Sequence, residues 1–151
     1  MPLILVDADA CPVKDEIYRV ATRLGVPVKL VSNSWMRIPT GGLVSIEVVS
    51  DGFDAADDRI ADLVTPADVV ITSDIPLADR CLKANAAAVL APNGKPFTTD
   101  TIGTALATRA IMADLRGGGD QLGGPPPFRK EDRSRFLSAL DEVLQRLKRE
   151  A

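Results

Sequence analysis

Residues 2–17 read PLILVDADACPVKDEI, and the fold is decided there. Leu3 to Val6 is an unbroken apolar run, too short for a helix and suited to a strand buried on both faces. It ends in Asp7, with a second carboxylate at Asp9. Residues two apart on a strand point to the same side. Pro12 then offers a fixed φ for the first turn of a helix. Two acids thus stand where a buried strand ends and a helix begins, the edge at which open α/β sheets bind ligands. One acid is enough to cap the helix. The second would repel it unless a cation or a proton lies between them, so the pair points to a metal.

Working outward, Val13 to Leu24 places Val13, Ile17, Val20, Ala21 and Leu24 on one helical face, with Gly25 to end it. Val26 to Val31 and Leu43 to Val49 are the next two strands, joined by a loop holding Trp35 and Met36. Asp54 reads as the N-cap of a helix, with Asp57 three residues on as an acidic capping box. Ala67 to Thr72 is a fourth strand ending in Ser73-Asp74, and a helix starts with Pro76 in its first turn. A weaker fifth strand, Ala86 to Leu90, is followed by the turn Pro92-Asn93-Gly94 and a long helix over Thr98 to Arg116. Strands alternating with helices give a three-layer α/β/α sandwich over residues 1–116, with a central parallel sheet. Residues 117–127, GGGDQLGGPPP, read as a Gly/Pro-rich linker or mobile flap. Residues 128–151 form an amphipathic helix whose stripe is Phe136, Leu140, Val143, Leu144 and Leu147. That stripe suits docking on the parent domain, with homodimerisation as the other use of it.

The 151-residue chain has no histidine, which removes the serine–histidine and cysteine–histidine mechanisms and histidine-bound zinc. Carboxylates, hydroxyls, lysine and arginine remain. The net charge of −3 supplies no overall basic field for nucleic acid, although metal ions can mask an acidic site toward a phosphodiester. No apolar run approaches a membrane span and no stretch has the pattern of a signal peptide, so the expectation is a cytoplasmic chain with no membrane partner. Cys11 and Cys81 are expected as free thiols. Cys11 could be a lowered-pKa thiol at a helix N-terminus or a small buried residue.

If the first and fourth strands are neighbours, Asp7 and Asp9 lie near Asp74, and the helix after the third strand brings Asp54, Asp57 and Asp58 to the same edge. Of the adjacent pair, Asp58 is the choice, one turn on from Asp54. Oxygen-only ligands suit Mg²⁺ or Mn²⁺, so Asp7, Asp9, Asp54, Asp58 and Asp74 are the candidate metal ligands. Lys14, Asn33, Ser73 and Arg109 are the candidates for contact with substrate, with Thr72 and Ser34 beside them. The bland counterpart is that each acid caps its own helix, which suits Asp54 well, Asp74 less well and the Asp7/Asp9 pair poorly.

The segments VDADACPVK, GFDAADDRI and VVITSDIPLA, with Asn33 between the first two, resemble the YaiI/YqxD family of uncharacterised bacterial proteins. GGPPPF followed by Asp132, Arg133 and Phe136 fits as well, so the resemblance covers nearly the whole chain. By likeness, that family is placed with the PIN-like (NYN-type) nuclease superfamily. The superfamily implies a sheet ordered 3-2-1-4-5, divalent metal held by acids at the tips of the first and fourth strands and in the helix after the third, and cleavage of RNA. Asp7, Asp9, Asp54, Asp58 and Asp74 fill those places, with Asp7, Asp9, Asp58 and Asp74 as the catalytic set.

Two other functions use the same residues. Asp7-Ala8-Asp9 after an apolar strand resembles the nucleophile motif of haloacid-dehalogenase phosphatases, with Asp7 attacking phosphorus. The Asp57-Asp58 pair then precedes the Thr72 strand, the wrong order for that family. A non-catalytic module binding RNA or metal would need the same acids and no turnover.

Overall fold

The computed structural model describes residues 2–50, 52, 54–117 and 128–150, without the side chains of residues 10, 109, 110 and 112–117. In chain order the elements are β1 (Ile4–Asp7), a 3-10 turn (Ala8–Ala10), α1 (Lys14–Leu24), β2 (Val28–Ser32), β3 (Val44–Val48), α2 (Ala55–Leu63), β4 (Val69–Ile71), α3 (Ile75–Lys83), β5 (Ala88–Leu90), β6 (Pro96–Phe97), α4 (Ile102–Gly117) and α5 (Lys130–Glu150). The six strands form one sheet in the order β3-β2-β1-β4-β5-β6. All neighbours are parallel except β5 and β6.

β1 sits at the centre because its side chains are apolar on both faces. Ile4, Leu5 and Val6 are fully buried. Ile4 and Val6 face one layer, with Ile17, Val20 and Ala21 of α1 and Phe136, Leu140 and Leu144 of α5. Leu5 faces the other, with Ala56 and Ile60 of α2, Leu77, Ala78 and Cys81 of α3 and Ile102 of α4. Leu5 is aligned with Lys29 of β2 and Val70 of β4, so the carboxyl ends of β1 and β4 lie side by side.

The order differs from the expected all-parallel 3-2-1-4-5 by the sixth strand. Pro96–Phe97 is too short to show a strand period in sequence. The short connection after Leu90 can only reverse the chain, so the added strand is antiparallel. Ala91 N–H donates to the Lys95 carbonyl at 2.9 Å and closes the hairpin. Pro96 is tolerated because this strand lies at the edge of the sheet. The long helix starts at Ile102 rather than Thr98, since Thr98 and Thr101 bond each other's backbone and side chains in a turn ahead of it.

α5 lies along α1. Arg133 donates to the Pro12 carbonyl and, at 3.2 Å, to Glu16; Arg23 pairs with Asp141 at 2.9 Å; Lys148 donates to the Leu24 carbonyl. The two helices therefore run in the same direction, and α5 begins at the edge of the sheet where α1 begins. The linker read over 117–127 lies, apart from Gly117, outside the described residues. Among the described residues no helix is long and apolar enough to cross a membrane.

Candidate functional site

Asp7 is the last residue of β1, half-buried between β2 and β4. Its Oδ2 accepts a hydrogen bond of 3.0 Å from Thr72 Oγ1, just past the end of β4. The same hydroxyl accepts the Asp74 N–H at 2.9 Å, so Thr72 sets the spacing of two acids at once. Thr72 is buried, which fixes its rotamer. Asp74 is the N-cap of α3, and its Oδ1 accepts the Leu77 N–H at 2.9 Å. Burial pushes the Asp7 carboxyl above its ordinary range, the Thr72 bond works against that, and the charges of Asp74 and Asp9 add to it.

The acid that joins them is Asp57. Burial and the charges of Asp74, Asp7 and Asp54 push its carboxyl up to about 7, and a proton on it can be shared with Asp74. Asp58 points elsewhere, pairing with Arg80 at 2.8 Å on the surface. The choice of Asp58 from a turn counted off Asp54 fails because Asp54 is not helical: it has φ 65° and makes no side-chain cap. The buried residues of α2 are Ala56 and Ile60. At about 100° per residue, Asp58 lies about 180° from the middle of that face and Asp57 about 80°. Counting from the apolar residues instead of from the cap would have selected Asp57.

Asp9 is also placed differently. The strand ends at Asp7 and the chain coils into the 3-10 turn, so the period of two is lost between the two acids. Asp9 swings toward the end of β2. Its Oδ1 lies 2.6 Å from Ser32 Oγ, and its two oxygens accept the Asn33 N–H at 3.1 and 3.0 Å. Ser32, which sequence reasoning missed, is fully buried. Asp9 thus anchors the loop after β2 while its charge still bears on Asp7.

Around the cluster, Lys14 Nζ donates to the Cys11 carbonyl at 3.0 Å and Ser73 is exposed. Asn33 uses its backbone on Asp9. Arg109 belongs to α4, and its side chain lies outside the described residues. Cys11 does not have a lowered pKa: burial pushes its thiol up. Cys11 and Cys81 are free and buried in opposite layers.

Among the described residues no three acidic or thiol groups are already close enough to close on a cation. The donor chemistry nevertheless fits a hard divalent ion. Asp7, Asp57 and Asp74 offer oxygen alone, and the charge of Asp74 raises the proton affinity of both Asp7 and Asp57. Arg80, whose charge also feels Asp57, is bonded to Asp58.

The family model described as "Uncharacterized BCR, YaiI/YqxD family" matches residues 5–146. The chain belongs to the YaiI/YqxD family. It is 66% identical over 149 residues to a UPF0178 protein of Sphingopyxis alaskensis, covering 98% of this chain and 96% of that one. It is 56% identical over 149 residues to UPF0178 protein amb2838 of Paramagnetospirillum magneticum, covering 99% and 98%. It is 58% identical over 146 residues to UPF0178 protein bll3966 of Bradyrhizobium diazoefficiens, covering 97% and 87%. No solved structure matches the chain.

Proposed function

We propose that this member of the YaiI/YqxD family is a nuclease that hydrolyses phosphodiester bonds in RNA and depends on Mg²⁺ or Mn²⁺. The observation that carries the reading is the convergence of Asp7 and Asp74 on the one Thr72 hydroxyl at the ends of two adjacent strands, with Asp57 at the start of α2 feeling the charge of both. Carboxylates kept so close are costly without a cation or proton. The likeness of the YaiI/YqxD family, carried here by VDADACPVK, GFDAADDRI and VVITSDIPLA, to the PIN-like nuclease superfamily supports the same reading.

Asp7, Asp57 and Asp74 would hold the ion, with Asp54 and Asp9 adding negative charge from outside. Such an ion supplies polarisation of a phosphoryl oxygen and activation of water. The chain's own part is positioning: Thr72 fixes Asp7 against Asp74, and the Asp74 cap fixes the start of α3. Ser73, exposed between Thr72 and Asp74, would donate to a phosphate oxygen.

The test is a thermal melt with and without Mn²⁺, paired with cleavage of a 5′-labelled single-stranded RNA. A metal-dependent rise in Tm and metal-dependent products are expected, both lost on Asp7→Asn. No shift at millimolar Mn²⁺ sinks the metal site and the nuclease reading with it.

A further inference from the structure

The only tryptophan of the chain, Trp35, is 71% exposed. A ring of that size is ordinarily buried for most of its area. It is not on a loose loop. On one side Ser32 Oγ accepts the Ser34 N–H at 3.2 Å, and the Asn33 N–H is held by both oxygens of Asp9. On the other side Met36 and Ile38 pack against the core beneath α1 and α5. The backbone is pinned before and after Trp35, and the indole between the pins is turned to solvent. Two residues span at most ~7 Å, so Trp35 stands within that chain length of the contact with Asp9. Arg37, also exposed, is the next-but-one residue.

We infer that Trp35 is a stacking platform for a base of single-stranded nucleic acid, with Arg37 holding an adjacent phosphate, beside the acid cluster at the same edge of the sheet. An aromatic face and a nearby cation are what a single strand offers its bases and backbone to. A duplex keeps its bases stacked on each other and has none to give, so the substrate class is the unpaired strand. The inference rests on the nuclease reading for the phosphate bound at the acids, but the stacking itself requires no turnover.

With one tryptophan, emission reports on this position alone. The full chain is titrated in Ca²⁺ with an unstructured 12-nucleotide RNA, and separately with the same sequence as a duplex. Saturable quenching by the single strand and none by the duplex is expected. Trp35→Ala should weaken binding of the labelled strand, read by anisotropy, about tenfold, and Trp35→Phe by less. Arg37→Gln should lower the slope of log affinity against log salt by about 0.7. Absent binding, binding without quenching, or unchanged affinity in Trp35→Ala overturns the inference; so does a Trp35-dependent dimer in sedimentation, which would make the indole a protein contact. Should Trp35→Ala fold poorly, the wild-type quench and Trp35→Phe decide. Quenching with no cleavage in Mn²⁺ leaves the platform standing and removes the nuclease. Cleavage by Trp35→Ala with the wild-type KM does the reverse.

Discussion

Thr72 Oγ1 donates to Asp7 Oδ2 at 3.0 Å while it accepts the Asp74 N–H at 2.9 Å. One buried hydroxyl thereby ties the tip of β1 to the start of α3. Thr72→Val keeps the shape and removes both bonds. It should cost about 1–3 kcal/mol, since a part-buried carboxylate and an amide each lose a partner. Urea unfolding of the metal-free protein measures this. Because Asp7 also loses the bond that lowers its proton affinity, Mn²⁺ affinity near neutral pH should fall as well.

Asp57 and Asp58 are neighbours in sequence with opposite expected phenotypes. Asp57→Asn removes a charge facing Asp74 and Asp7, and should raise the metal-free Tm while weakening Mn²⁺ binding at least tenfold. Asp58→Asn breaks only a surface pair with Arg80, and should change stability by less than ~1 kcal/mol and leave the metal response intact. Paired melts of the two variants, with and without Mn²⁺, separate them. Equal behaviour would mean that Asp57 does not face the cluster.

The strand tips were legible in sequence because their physics is local. Ile4-Leu5-Val6 is apolar without a break, and Asp74 with Pro76 is a helix start in any context. What failed depended on where a regular element stops. A strand period sets Asp9 beside Asp7, but the strand ends at Asp7; a helical turn counted from Asp54 points to Asp58, but the helix begins only at Ala55. Asp54 itself, the best cap on sequence grounds, makes no cap, while Asp74, the weaker candidate, does. β6 escaped because two residues carry no period.

Stability without metal should fall as pH rises. An unfolded aspartate titrates near 4. The Asp57 carboxyl titrates at about 7 in the fold, and Asp7 is shifted in the same direction. Between those values the native state binds more protons than the unfolded state, so its stability is greater at the acid end and declines up to about pH 7. Glu47, held low by its bond to Arg59, and Asp141, held low by Gln145 and Arg23, act the other way and turn the curve down below about pH 4. Melts in EDTA should therefore peak near pH ~5. Asp57→Asn should flatten the decline toward pH 8; a slope unchanged in that variant would remove Asp57 as its source.

The seat of α5 makes a prediction about a glycine far from the acids in sequence. Gly94, at the tip of the β5–β6 hairpin, has φ +87°, and a Cβ there would meet the Arg135 carbonyl and the Phe136 N at 2.8 Å. Those atoms belong to the backbone of α5 and cannot rotate aside. Gly94→Ala must therefore push the helix off the hairpin while also adopting a backbone conformation that alanine resists. The expected loss is about 3 kcal/mol or more. Phe136, one residue along and fully buried, should lose about 3–5 kcal/mol as Phe136→Ala for a different reason, the cavity left beneath the helix. Gly103→Ala is the control: nothing lies within 4 Å of its Cβ, and it sits in the first turn of α4, where alanine is the better helix former. It should be neutral or stabilise by a few tenths of a kcal/mol. Urea unfolding of the three variants ranks them. If Gly94→Ala proves as mild as Gly103→Ala, α5 does not press on the hairpin.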